Sequence, residues 1–232
     1  MKARAAVDAG TRARILASAT RLFAARGFEH VTIRDICRDA RANVAAVNYH
    51  FRGKVGLYTE VLEAAADLVR SVTRAAIDAG EGQTPEGKLR AYVRVHLERM
   101  FAMRHAAWLG QLIHREIHEP TAGLDDLIDR LLHRALKPRF EYLGTIVAAL
   151  VGRPVRDPRV VQCTVSIHAQ VVMFRPNPLI DRLPRKDRRA FAVHGAIEHV
   201  TAFSLAGVDA YRRRVRHRAP AASRTRRRPR AA

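Results

Sequence analysis

The chain is poor in cysteine, in aromatic residues and in acid. Two cysteines in 232 residues, Cys37 and Cys163, exclude a disulfide framework, and a chain of this size does not need one. Each lies in an apolar helical pattern, which points to buried free thiols in a reducing compartment. No apolar run reaches the ~18 residues of a membrane-spanning helix. No basic N-terminal segment leads into a signal-peptide core either, so a cytoplasmic protein without membrane contact is expected. Strand-type alternation is almost absent. There is no glycine-rich phosphate loop and no Ser/His/Asp arrangement that stands out, so neither a β fold nor catalysis is indicated.

Apolar residues, at 48%, suffice for a substantial core and exclude wholesale disorder. The net charge is +20, and its placement matters more than its size. Residues 1–60 hold 11 Lys/Arg against 5 Asp/Glu, whereas residues 61–211 hold 21 against 17. Residues 212–232 hold ten arginines and no acid. Two basic ends around a balanced middle point to a polyanionic partner; an Ala/Arg-rich composition explains the final arginines equally well.

The periodicity is helical throughout. Ile15, Ala19, Leu22 and Phe23 form one apolar face, and Gly27 stops that helix with Phe28 packing back. Thr32 and Asp35 have the spacing of a capping box opening a short helix to about Ala40. Asn43 caps another that runs to about Phe51. After Gly53 a long helix extends from near Lys54 to Gly80, its stripe including Leu57, Tyr58, Val61, Leu62, Ala65 and Val69. Further helices are expected at about 86–104, 106–118, 122–151, 157–174 and 186–208, with Pro138 kinking the third of these. The expected division is a flexible N-terminus at 1–10, a helix-turn-helix domain at 11–56, a helical domain at 57–210 and a disordered basic tail at 211–232.

Three short helices with a tight turn between the last two suit the major groove of DNA. Val44, Ala45, Ala46, Asn48 and Tyr49 present small or polar groups to base edges; asparagine can pair with adenine, and methyls with thymine. Thr32, Tyr49, His50 and Lys54 are placed for phosphates. Arg34, Arg41 and Asn43 complete the DNA-binding set.

The run Thr32-Ile33-Arg34-Asp35-Ile36-Cys37, with Ala40, Asn43, Tyr49-His50-Phe51, Lys54 and Leu57-Tyr58, resembles the DNA-binding domain of the TetR family of bacterial repressors. The resemblance implies an all-α homodimer in which the third helix enters the major groove of a double-stranded operator. It also implies a larger C-terminal domain that binds a small-molecule effector and thereby changes the spacing of the two recognition helices. Two positions depart from that pattern: Arg41 replaces a turn glycine, and Val55 replaces a glutamate. Farther on, His114-Arg115-Glu116-Ile117, Pro120-Thr121, Pro138-Arg139-Phe140, Asp157-Pro158-Arg159, Cys163 and Met173-Phe174-Arg175 are similar to the C-terminal domain of the CecR-like (YbiH-like) branch. That similarity implies control of transport or detoxification genes.

Phe101, Met103, Trp108, Leu112, Arg115 and His168 are the candidate effector-lining residues, with ordinary core packing as the competing role. Glu116 is either pocket polarity or a surface charge. His114 and His118 stand four apart on a helix, but no third ligand is near them in sequence, so no metal and no cofactor is expected. Val161, Val165, Val172, Phe191, Ile197, Val200 and Phe203 are the candidate dimer face, forming with a second copy a four-helix interface. The rival readings are a ligand-independent protein held on DNA by charge, and an enzyme in the C-terminal domain.

Overall fold

The structure is a computed structural model that describes residues 2–102, 107–174 and 178–218. It is all-α, with no strand among the described residues. The helices are α1 (Lys2–Arg26), α2 (Ile33–Ala40), α3 (Val44–Phe51), α4 (Lys54–Gly80), α5 (Pro85–Ala102) and α6 (Ala107–His118). They continue with α7 (Asp125–Val151), α8 (Pro158–Phe174), α9 (Pro178–Asp181), α10 (Arg185–Arg188) and α11 (Val193–Arg218). No described helix is long and apolar enough to cross a membrane.

The short helices are fixed by local chemistry. Thr32 caps α2 by accepting from the Asp35 amide at 3.1 Å, and its own amide donates to the Asp35 carboxylate at 3.0 Å. The Thr32 hydroxyl, donating to the Asp35 carboxylate at 2.6 Å, and then the Thr32 amide hold the Asp35 carboxyl below the usual range. Asn43 caps α3 by accepting from the Ala45 amide at 3.0 Å. Between the two helices Arg41 takes the left-handed conformation, φ 50°. The turn does need the backbone that glycine would supply, at a cost of about 1 kcal/mol. Pro138 lies inside α7, which nevertheless continues unbroken to Val151.

The chain ends correct two expectations. Helix α1 starts at Lys2, so residues 2–10 of the expected flexible N-terminus are helical. It has no apolar stripe to announce it; alanine and basic residues carry it by intrinsic propensity. At the other end, α11 continues to Arg218, so the first part of the expected tail is helical too. Arg212 and Arg213 each reach the Asp209 carboxylate at 2.6 Å across one turn. The helix expected at 186–208 is divided: α10 and a 3-10 turn at Arg189–Phe191 precede an extended Ala192, and α11 begins after it. Residues 219–232 lie outside the described residues.

Two cores form. One joins α1, α2 and α3 to the first half of α4, Leu112 of α6 and the first half of α7, through Phe23, Val47, Phe51, Leu57, Tyr58 and Leu131 among others. The second joins the end of α4 to α5, the second half of α7, α8 and α11. The expected boundary at residue 56 therefore separates no cores: the helix-turn-helix shares its interior with α4, α6 and α7. Cys37 and Cys163 are both free and buried, one in each core.

Candidate nucleic-acid interface and ligand cleft

Helix α3 has two distinct sides. Val47 and Phe51 are buried in the first core, while Val44, Ala45, Asn48 and Tyr49 are exposed. Val44/Asn48 and Ala45/Tyr49 are pairs four apart, so these side chains form one outward face. Tyr49 leads it, 77% exposed. Exposed Arg34 and Arg38 on α2, and Arg41 and Arg52 at the left-handed ends of α2 and α3, surround the face with positive charge. Small methyls, one amide and one phenol framed by guanidinium groups can meet base edges and phosphates together.

Five of the expected DNA contacts are engaged elsewhere, the Thr32 hydroxyl among them through its capping box with Asp35. Ala46 is half-buried against the first core. The His50 imidazole is only 9% exposed, with Nε2 3.1 Å from Asp8 Oδ1 of α1. Lys54 places its ammonium 4.1 Å from the Phe28 ring centroid, a cation–π contact. The side-chain oxygen of Asn43 is committed to capping. Arg38 and Arg52, which the sequence did not single out, stand on the exposed rim; their signal was the excess of Lys/Arg in the first 60 residues.

An apolar cleft lies between α4, α6 and α7. Leu62, Ala65, Ala66 and Val69 form one wall, Leu112 and Ile113 another, and Ile128, Leu131, Leu132, Ala135 and Leu136 the third. It encloses a volume of about 20 Å³, room for roughly one water molecule. Glu116 is its one acidic lining residue and is 2% exposed. Its carboxylate accepts from the Tyr58 hydroxyl, from the Thr121 amide at 3.0 Å and from the Thr121 hydroxyl at 2.9 Å. Burial pushes the Tyr58 phenol up, and the bond to Glu116 adds to the shift. Of the two roles open to Glu116, the structure selects pocket polarity.

Of the expected lining residues, the cleft holds Leu112 alone. Phe101 packs on the second core and Trp108 on the first. Arg115 turns away, toward the α1–α2 connection: a Cβ on Gly27 would lie 2.6 Å from its Nη1. Gly27 is at φ 81°, so glycine there serves both the turn and the close approach of the guanidinium. His168 lies apart from the cleft, its Nδ1 3.0 Å from the Tyr92 hydroxyl. Met103 and the His114 side chain lie outside the described residues. The α4 wall was visible only as part of a core stripe, and its pair of small residues, Ala65-Ala66, was the one hint of open space.

Val161, Val165, Val172 and Met173 of α8 and Phe203 of α11 are exposed, Phe203 by 62%. Phe191 is half-buried on Phe174, 5.4 Å between centroids. Ile197 and Val200 belong to the chain's own second core, which corrects their expected place on the dimer face.

Known proteins similar to this chain fit that geometry. Residues 15–61 match the family described as bacterial regulatory proteins, tetR family. Residues 85–208 match the C-terminal domain of the HTH-type transcriptional dual regulator CecR. The chain belongs to the TetR family. It is a DNA-binding transcriptional regulator with a CecR-type C-terminal domain. CecR of Shigella flexneri is 25% identical over 170 residues, covering 69% of this chain and 74% of that protein. The probable HTH-type transcriptional regulator YttP of Bacillus subtilis strain 168 is 37% identical over 70 residues, covering 25% of this chain and 34% of YttP. The chain thus spans about a third of YttP's length in that match. The ketosteroid transcriptional regulator KstR2 of Mycobacterium tuberculosis shares the fold, with a TM-score of 0.59 at 18% identity over 84% of this chain and 93% of KstR2. These relatives are regulators, and no described residues form a cluster of three or more metal-ligating side chains.

Proposed function

We propose that the chain is a cytoplasmic homodimeric repressor, released from a palindromic operator by a small-molecule effector and controlling transport or detoxification genes. One observation carries the DNA-binding part of this reading: the outer face of α3, with Val44, Ala45, Asn48 and Tyr49 in the open and Val47 and Phe51 fixing the helix from behind. The exposed Val161, Val165, Val172, Met173 and Phe203 supply a dimer face. Pairing matters because two linked recognition helices read half-sites about one DNA turn apart. The cleft between α4, α6 and α7 supplies the effector site. A drug-sized ligand needs roughly 300 Å³ or more, so entry must spread these helices. Since α4 also packs on α1 and α3, that spreading reaches the readers. A coupling of about 3 kcal/mol between effector and operator weakens DNA binding about 150-fold.

The test is binding of the purified full chain to DNA just upstream of its own gene, against scrambled DNA, by fluorescence anisotropy and footprinting at moderate salt. Two protected half-sites on the first DNA alone support the reading. Equal binding to both overturns operator specificity and favours attachment by charge, for which the ten arginines of residues 212–232 are the specific observation. In that case affinity falls steeply with salt on every sequence.

A further inference from the structure

Arg139 of α7 is 9% exposed and has no carboxylate partner among the described residues. Its Nε donates to the Thr73 hydroxyl at 3.3 Å and its Nη2 to the Val69 carbonyl at 3.2 Å. Nη1 has no partner among the described residues and is not fully enclosed. The titratable groups around it bring no negative charge. Burial pushes the Tyr92 phenol up, so it stays protonated. Burial, helped by Arg139, pushes His96 down to about 3, so it stays neutral. His96 Nε2 is itself buried without a hydrogen-bond partner. A buried cation lacking a counter-charge is costly unless something pairs with it.

Arg139 does not itself line the cleft but stands one helical turn beyond its end. Val69, whose carbonyl it holds, is a wall residue, and Ala135 and Leu136 line the cleft one turn earlier on the same helix. From Ile128 to Leu136 the cleft follows α7 for about 12 Å at 1.5 Å per residue. Its acidic group, Glu116, contacts neither Arg139 nor its partners and is taken by Tyr58 and Thr121.

We infer that the cleft takes an apolar monocarboxylate, with the tail along Leu62, Leu112 and Leu131 and the carboxylate paired to Arg139. This rests on the effector reading above and names its ligand class. The polarity follows from charge: Glu116 repels an anion, whereas Arg139 lacks one. Recognition is charge-assisted and bidentate in kind, and strongest where water is excluded.

The experiment uses the full chain with decanoate and decanol, both below micelle formation, followed by thermal unfolding and calorimetric titration. Decanoate is expected to raise the midpoint saturably and to bind at least about tenfold more tightly than decanol. Arg139→Met, checked for native helix content, is expected to abolish that preference, and Arg139→Lys to restore part of it. Equal affinity for acid and alcohol in the native chain overturns the inference without recourse to a variant, as does an undiminished preference in a folded Arg139→Met protein. Release of DNA by decanoate is measured separately. An Arg139-dependent preference with DNA binding unchanged keeps the anion site and removes the effector reading.

Discussion

The hydroxyl of Tyr58, near the start of α4, donates to the buried carboxylate of Glu116 on α6. The two residues are 58 apart in sequence. Tyr58 is packed edge-on to Phe23 and beside Phe28, with centroids 4.9 Å away in each case. One side of this bond therefore touches the helix-turn-helix interior and the other faces the cleft. Tyr58→Phe is expected to destabilise the chain by about 1–3 kcal/mol, because Glu116 loses a donor while staying buried. Glu116→Gln combined with Tyr58→Phe completes a double-mutant cycle in urea. A coupling of about 0.5–3 kcal/mol is expected, and additivity removes the bond from the energetics.

Asn48 and His50 separate reading from packing. Asn48→Ala is expected to cost about 1–3 kcal/mol at one base position of the operator. His50→Ala is expected to leave the base preference intact, since its ring faces Asp8. Competition anisotropy with single-base operator variants checks both. A uniform loss for Asn48→Ala assigns that residue to the DNA backbone.

Arg41 sits at positive φ, so Arg41→Gly relieves left-handed strain while loosening the unfolded chain. A net gain in stability of up to about 1 kcal/mol is expected. If Arg41 touches phosphate, the same change lowers DNA affinity on all sequences and reduces the salt slope by about one. Urea unfolding and a salt titration read the two effects independently.

His96 gives stability a pH dependence. Above its ordinary pKa of 6.5 it is neutral in folded and unfolded chains alike. As pH falls below 6.5, the unfolded chain binds a proton that the folded chain refuses until about pH 3. Stability therefore drops across that window by up to about 1.4 kcal/mol per pH unit. The difference in unfolding free energy between the native chain and His96→Gln, measured from pH 7 to pH 5, isolates this contribution. Parallel profiles show that His96 titrates as an ordinary histidine.

The exposed valines and Phe203 predict the assembly. Val165→Asp with Phe203→Asp places charges at positions 53% and 62% exposed, so the monomer fold should survive. Sedimentation at micromolar concentration is expected to shift from dimer to monomer, with DNA affinity falling sharply. A persistent dimer moves the interface elsewhere.

The sequence alone determined the all-α class, the ends of α2 and α3, and the helix-turn-helix itself. These depend on local rules: a capping box, an asparagine cap and a 3.6-residue apolar period act within a few residues. It also showed that Arg41 occupies a position where glycine is usual, although only the backbone angle revealed that the turn needs it. The tertiary structure decided which side of each helix is spent. Asn43 and His50 carry DNA-binding chemistry by residue type, but a cap and an acid on α1 claim them. Ile197 and Val200 share a helix with exposed Phe203, yet are buried in the chain's own second core. Tyr58 with Glu116, 58 residues apart, and Arg139, without an acid among the described residues, are relations across helices. No periodicity encodes them, because burial and pairing are set by which helices meet.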